Sequence, residues 1–196
     1  MTATSSMALF EETGAYLHGH FRLTSGLHSS EYLQCAKVLA YPNYAEQLGR
    51  GLAEKVKTLA GGATIDVVVS PAMGGIVIGH EVARALGTRA LFTERDAATG
   101  AMTLRRGFEI HPGENAVVIE DVITTGGSTK EVVDTVTAAG ARVLAAGSIV
   151  DRSNGRADVG VARAALETLE VVAYQPEACP LCREGLPLVK PGSRRV

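Results

Sequence analysis

What most restricts the architecture of this chain is an alternation of apolar runs with helix-compatible stretches. Ile65 to Val69 is a β-branched run, Ile76 to Leu86 is helix-compatible, and Ala90 to Thr93 is a short apolar run ending in charge. The order then repeats, with Ala116 to Ile119 β-branched, Gly127 to Ala139 helical in pattern and Val143 to Val150 a further strand. Nearly continuous apolar strands separated by helices indicate a parallel sheet covered on both faces. The expected fold class is therefore α/β.

The flanks read differently. Ser6 to His18 fits a short amphipathic helix, and Phe21 to Leu39 reads as extended structure interrupted at Ser25-Gly26 and Ser29-Ser30. A helix is expected over Asn43 to Leu59, with Asn43 as its N-cap and Leu48, Leu52, Val56 and Leu59 on one face. Glu94 to Pro112 is charged, contains Gly100 and Gly107, and reads as a long loop or hairpin. Connections of that length inside compact domains are uncommon, and active-site lids are among the usual reasons for them. The tail from Cys179 to Val196 holds three prolines and two glycines and is expected to be irregular. One domain is expected over 1–196, with 1–41 mainly an accessory N-terminal piece.

Composition sets limits on partners. The 196 residues include 19 basic and 21 acidic side chains, so no long-range positive field argues for nucleic acid or a membrane surface. Any anionic ligand has to be held locally. Met1 to Phe10 lacks the basic and apolar regions of a secretory signal, and no stretch approaches the roughly 18 apolar residues of a membrane span. Three cysteines, Cys35, Cys179 and Cys182, cannot all pair within one chain. A cytoplasmic location is expected.

The chemistry concentrates in Val117 to Thr129. An apolar strand ends in Glu120 and Asp121, then runs through Thr124, Thr125, Gly126, Gly127, Ser128 and Thr129 into a helix. Open α/β sheets bind ligands at the carboxyl ends of parallel strands, which puts the two carboxylates at the functional edge. The glycines permit close backbone approach, the helix N-terminus offers N–H groups to a phosphate, and the hydroxyls add donors. Carboxylates repel phosphate but suit ribose hydroxyls, so a sugar phosphate fits the segment. The plainer alternative is an ordinary turn capped by Ser128 or Thr129.

This segment resembles the phosphoribosyl-pyrophosphate signature of type I phosphoribosyltransferases, although its first acidic residue, often Asp there, is Glu120 here. The resemblance implies that fold, with a small N-terminal hood and a flexible lid loop over 94–112. It assigns the ribose hydroxyls to Glu120 and Asp121 and the 5′-phosphate to Thr124–Thr129. Ala72-Met73-Gly74-Gly75 falls where the family has its pyrophosphate-binding turn, and a glycine turn opening a helix suits an anion.

Further stretches resemble the orotate phosphoribosyltransferase branch. Phe21 to Leu27 with Ser29 to Leu33 matches the segment that covers the pyrimidine there, placing Tyr32 and Leu33 at its paired aromatic positions. Val150-Asp151-Arg152 matches the strand end whose arginine faces the orotate carboxylate, a pairing suited to a bidentate guanidinium. Within the lid the resemblance makes Arg95 the first catalytic candidate for stabilising the leaving group, followed by Arg105 and Arg106. It also implies Mg²⁺ carried mainly by the substrate pyrophosphate, with no dedicated protein metal site, and a homodimer whose subunits lend basic groups to each other. The implied reaction is transfer of ribose 5-phosphate from phosphoribosyl pyrophosphate to orotate, a pentosyltransferase step of pyrimidine biosynthesis.

The better-known branch has lysines where this chain has Thr24 and Gly74. A charge-assisted contact contributes roughly 1.5 to 3 kcal/mol, so Arg95, Mg²⁺ and, more weakly, Lys37 are expected to compensate. Two alternatives stay open: a phosphoribosyltransferase for another base, and a non-catalytic sensor of the sugar phosphate. Cys179-x-x-Cys182 supplies only one pair where structural zinc needs four ligands, and the five histidines show no ligand spacing, so the pair is expected to be a structural turn. Neither the P-loop order nor Gly-x-Gly-x-x-Gly occurs.

Overall fold

The computed structural model describes residues 5–23 and 25–191; Thr24 and residues 192–196 of the tail lie outside the described residues. The chain divides into two compact units, Met1–Ala40 with Glu170–Val196, and Tyr41–Leu169. In chain order the first unit contributes α1 (Ser6–Glu12), β1 (Tyr16–Arg22), β2 (His28–Leu33) and α2 (Cys35–Leu39). The second holds α3 (Pro42–Leu59), β3 (Val67–Pro71), α4 (Gly75–Leu86), β4 (Arg89–Arg95), β5 (Met102–Leu104) and β6 (Asn115–Ile123). It continues with α5 (Gly127–Ala138), β7 (Arg142–Asp151) and β8 (Arg163–Thr168). The chain then returns to the first unit with β9 (Ala173–Tyr174), a 3₁₀ turn at Pro176–Ala178 and α6 (Pro180–Arg183).

The six strands of the second unit run β5-β4-β3-β6-β7-β8. All pairs are parallel except β4 with β5. Period-two alternation along the strands feeds two cores. Val67, Val69, Ala116 and Val118 pack with Val132, Val133 and Val136 of α5, while Val68, Val117 and Ile119 are fully buried on the face that α3 and α4 cover. The apolar runs are continuous because both faces are dry. The expected parallel α/β sheet is what forms.

The first unit is a three-stranded antiparallel sheet ordered β1-β2-β9. Its tail is tied in further along: Phe21 bridges Val189, the Arg22 amide donates to the Val189 carbonyl at 2.9 Å, and the Val189 amide donates to the His20 carbonyl at 2.8 Å. The tail is thus less irregular than its prolines suggest.

Several boundaries depart from the expectations. The helix read over Ser6 to His18 stops at Glu12, where the Thr13 hydroxyl donates back to the Leu9 carbonyl at 2.8 Å, and His18 belongs to β1. Extended structure ends at Leu33, since Cys35–Leu39 is a helix. Asn43 is not an N-cap: α3 begins at Pro42, whose missing N–H costs nothing in a first turn, and Tyr41 stands at the cap without a side-chain bond. Among the described residues no helix is long and apolar enough to cross a membrane.

Candidate active site

Two strand-to-helix turns open on one edge of the second unit. β3 and β6 are adjacent and parallel, with Val67 paired to Ala116 and Val69 to Val118, so their carboxyl ends emerge side by side. After β3 the chain passes through Ala72, Met73 and Gly74 into α4. The Ala72 amide donates to the Thr93 carbonyl at 2.8 Å, which fastens this turn to β4, and Met73 stands 83% exposed. A Cβ on Gly74 would lie 2.6 Å from Asp121 Oδ2, so the turn backbone and the Asp121 carboxylate are in direct contact. No side chain fits at 74 unless that carboxylate moves. The glycine found where the better-known branch has lysine therefore has a physical reason in this chain.

At the end of β6 the two carboxylates differ. Glu120 is only 7% exposed and Asp121 is half-buried. Glu120 Oε1 accepts from the Asp121 amide at 3.1 Å, and Asp121 Oδ1 accepts from the Val122 amide at 2.8 Å. Burial first, and then the neighbouring Asp121 charge, push the Glu120 carboxyl well above the usual carboxylate range. The acid nearer the surface is therefore the one placed to meet a ligand.

Beyond them, Thr124, Thr125, Gly127 and Ser128 are exposed while Thr129 is buried. Gly126 occupies the N-cap of α5 with φ +83°, and no side chain caps the helix. A Cβ there would sit 3.0 Å from Val159 Cγ1 and 3.1 Å from Ala157 Cβ, so both backbone angle and space demand glycine. Among the described residues no side chain caps the first turn of α5, whose N–H groups thus begin beside exposed hydroxyls, an arrangement suited to a phosphate.

The neighbouring strand end is built for strength. Asp151 closes β7 opposite Ile123 and is 2% exposed. It accepts from the Ser153 hydroxyl at 2.6 Å, the Ser153 amide at 2.7 Å and Arg163 Nη1 at 2.5 Å. Burial acts to raise its carboxyl, but the Ser153 hydroxyl and the Arg163 guanidinium outweigh it and hold the group below the usual range. This knot fixes the backbone on which Arg152 stands, half-buried, its amide donating to the Ile123 carbonyl at 2.8 Å. Arg163 and Ser153 were not singled out in the sequence; only an isolated arginine on a strand marked them.

The segment over 94–112 takes the hairpin form of its two sequence readings. Arg95 pairs with Met102 and Thr93 with Leu104 across β4 and β5, and Met102 and Ile110 are buried in the core. Arg95 Nη1 donates to Glu131 Oε2 of α5 at 2.8 Å and to the Gly100 carbonyl at 2.9 Å. Arg106 holds Glu94 with two bonds of 2.7 and 2.9 Å. Arg105 is exposed and, among the described residues, joins no ion pair.

The remaining candidates belong to the first unit. The Tyr32 ring lies 5.8 Å from that of Phe21, and Leu33 is 5% exposed. Lys37 Nζ donates to the Gly14 carbonyl at 2.7 Å. The reading of Cys179 and Cys182 as a turn with too few partners is corrected: His20 and His28 stand beside them, and the four ligand atoms lie within 4.8 Å of one another.

With this geometry in view, comparison with known proteins is informative. The phosphoribosyl transferase domain matches residues 36–163. Orotate phosphoribosyltransferase of Pelotomaculum thermopropionicum is 57% identical over 196 residues, covering 100% of both chains. The crystal structure of orotate phosphoribosyltransferase from Aeropyrum pernix is similar with a TM-score of 0.68 at 25% identity, covering 83% of this chain and 93% of that one. Adenine phosphoribosyltransferase from Saccharomyces cerevisiae is similar with a TM-score of 0.63 at 17% identity over 82% and 99% of the two chains, a likeness of fold alone.

Proposed function

Because the chain belongs to the phosphoribosyl transferase family, we propose that it is an orotate phosphoribosyltransferase, a pentosyltransferase of pyrimidine biosynthesis. It moves ribose 5-phosphate from phosphoribosyl pyrophosphate to N1 of orotate, releasing pyrophosphate and giving orotidine 5′-monophosphate. The observation that carries the reading is the contact of Gly74 with Asp121, which joins a turn suited to pyrophosphate and a carboxylate suited to ribose in one crevice.

Each residue has a distinct task. The 5′-phosphate sits on the α5 N-terminus among Thr124, Thr125, Gly126, Gly127 and Ser128; buried Thr129 serves the same loop from beneath. Asp121 accepts from the ribose hydroxyls. Glu120, buried and inclined to keep its proton, braces the Asp121 backbone and adds less negative field than two ionised groups would. Ala72, Met73, Gly74 and Gly75 line the pyrophosphate side, and Arg152, held one residue beyond β7, faces the orotate carboxylate. As the glycosidic bond to pyrophosphate lengthens, the ribose ring gains positive character that the Asp121 carboxylate stabilises through space. Tyr32 and Lys37 keep the roles that the resemblance alone implies, cover for the base and a secondary cation.

Mg²⁺ fits this donor set as an ion carried by substrate. Asp121 offers hard oxygens beside the turn, whereas the His/Cys group of the first unit is unsuited to it. When bound, the ion neutralises and orients the leaving pyrophosphate. The hairpin over 94–112 supplies Arg95, and Arg105 beside it, to the same leaving group, lent across a homodimer in the cytoplasm. Recruiting Arg95 breaks an exposed pair with Glu131, at a cost of about 1 kcal/mol or less. Arg95→Ala is expected to lower turnover about tenfold or more while 5′-phosphate affinity holds; unchanged turnover moves the role to Arg105.

The deciding assay supplies phosphoribosyl pyrophosphate and Mg²⁺ with orotate, uracil or hypoxanthine in parallel. Orotate alone is expected to be consumed. Turnover of another base, or tight binding of the sugar phosphate without turnover, would replace this reading by its respective alternative.

A further inference from the structure

We propose that the first unit contains a structural zinc site formed by His20, His28, Cys179 and Cys182. It stands apart from the transferase chemistry of the second unit and depends on none of it.

Four of the six edges of the group approach those of a tetrahedral shell, and all four ligand atoms lie within 4.8 Å of one another. His20 Nε2 lies 3.0 Å from His28 Nδ1 and 3.6 Å from each of Cys179 Sγ and Cys182 Sγ, while Cys182 Sγ lies 3.3 Å from His28 Nδ1. With Zn–N near 2.05 Å and Zn–S near 2.3 Å, the edges of a regular tetrahedron are about 3.3 Å for N to N, about 3.6 Å for N to S and about 3.8 Å for S to S. The N–N edge and the three N–S edges given above fall within about 0.4 Å of these values. Ordinary packing has no reason to bring two imidazole nitrogens and two sulfurs so near one point.

The surroundings agree. His20 Nδ1 lies 2.8 Å from the Leu186 carbonyl, and since a carbonyl only accepts, Nδ1 carries the proton and Nε2 turns a lone pair into the group. That second bond is what orients a metal-binding histidine. His20 is 3% exposed, His28 6% and Cys179 0%, whereas Cys182 is exposed and leaves a way in. Two nitrogens and two thiolates in a closed set of four select zinc over hard cations, and binding releases the two thiol protons.

The placement also shows what the metal would do. His20 comes from β1, His28 from β2, and the cysteines from the cap and body of the four-residue helix α6. The edge strand of this small sheet has only two residues and pairs with β2 at two positions. Zinc would clamp the tail onto the N-terminal hairpin, as staples do in small units.

The test uses the full chain, purified without chelator after growth with added zinc. Elemental analysis of wild type is expected to give about one zinc per chain, and Cys182→Ser and His28→Gln about a tenth of that or less. Replacing the metal with Co²⁺ is expected to give the intense visible bands of a tetrahedral ion with thiolate charge transfer. Circular dichroism reports whether each variant folds. A folded wild type that takes up no zinc from added salt overturns the proposal without reference to any variant. So does a Cys179–Cys182 disulfide found by mass in metal-free protein, and so does undiminished zinc in both folded variants. Orotate turnover is not a readout here, so this site and the transferase assignment fail separately.

Discussion

β6 and β7 lie side by side, run parallel and each carry a buried carboxylate in their last four residues, yet they treat it in opposite ways. Asp151 meets a guanidinium, a hydroxyl and an amide, and its carboxyl is held low. Glu120 meets another acid, and its carboxyl is pushed high. Acidic residues at one sheet edge thus divide the labour: Asp151, held low, secures a backbone, while Glu120, inclined to keep its proton, leaves the proposed cationic sugar to Asp121. Such opposed environments are how functional edges are recognised physically.

Breaking the strong end has the largest expected effect. Arg163→Met leaves the Asp151 carboxylate buried and unpaired, and should lower unfolding free energy by about 3–5 kcal/mol in denaturant titration. Asp151 has a depressed carboxyl, so its contribution is present above the unfolded value and lost as pH falls through the folded one. The penalty of Arg163→Met should therefore shrink below about pH 4. Wild-type stability at neutral pH would remove the knot from the account.

At the other strand end the effect moves from stability to turnover. Asp121→Asn should cut kcat/KM for phosphoribosyl pyrophosphate about ten- to a hundredfold with little change in melting temperature. Gly74→Ala pushes on the same carboxylate from the turn and should cost about tenfold or less, with the fold intact by circular dichroism. Full activity in Gly74→Ala would mean that the contact does not matter.

Glu120→Gln is the subtlest. A raised carboxyl stabilises the fold most below its unfolded value, and that stabilisation is lost as pH rises through the folded one. The amide has no such slope, so the melting temperature of Glu120→Gln relative to wild type should climb from about pH 5 to about pH 8. A flat difference would mean that Glu120 is ionised throughout.

Much of the fold was legible because burial on both sheet faces writes itself into composition. Ile65 to Val69 and Ala116 to Ile119 have no polar alternation, and they became the central pair β3 and β6. The turn into α5 was legible for a related reason: Gly126 is demanded by local backbone geometry, which sequence records. What escaped was long-range. Asn43 failed as a cap because Pro42 already starts the helix, and Cys35–Leu39 forms a helix too short for periodicity to reveal. The partners of Asp151 and of Arg95 lie 12 and 36 positions away, and nothing in local pattern names them. His20 and Cys179 are 159 positions apart, beyond any spacing rule.

That separation bears on the order in which the molecule can be made. Tyr41–Leu169 is one uninterrupted stretch with a sheet and both cores of its own, so it can organise while translation continues. The first unit draws on segments from before and after that stretch, and β2 cannot gain β9, nor His20 its cysteines, until residues 173–182 have been made. The first unit is thus completed after the second, and a chain truncated before Cys179 would hold the whole Tyr41–Leu169 unit but only two of the four ligand atoms of the His/Cys group.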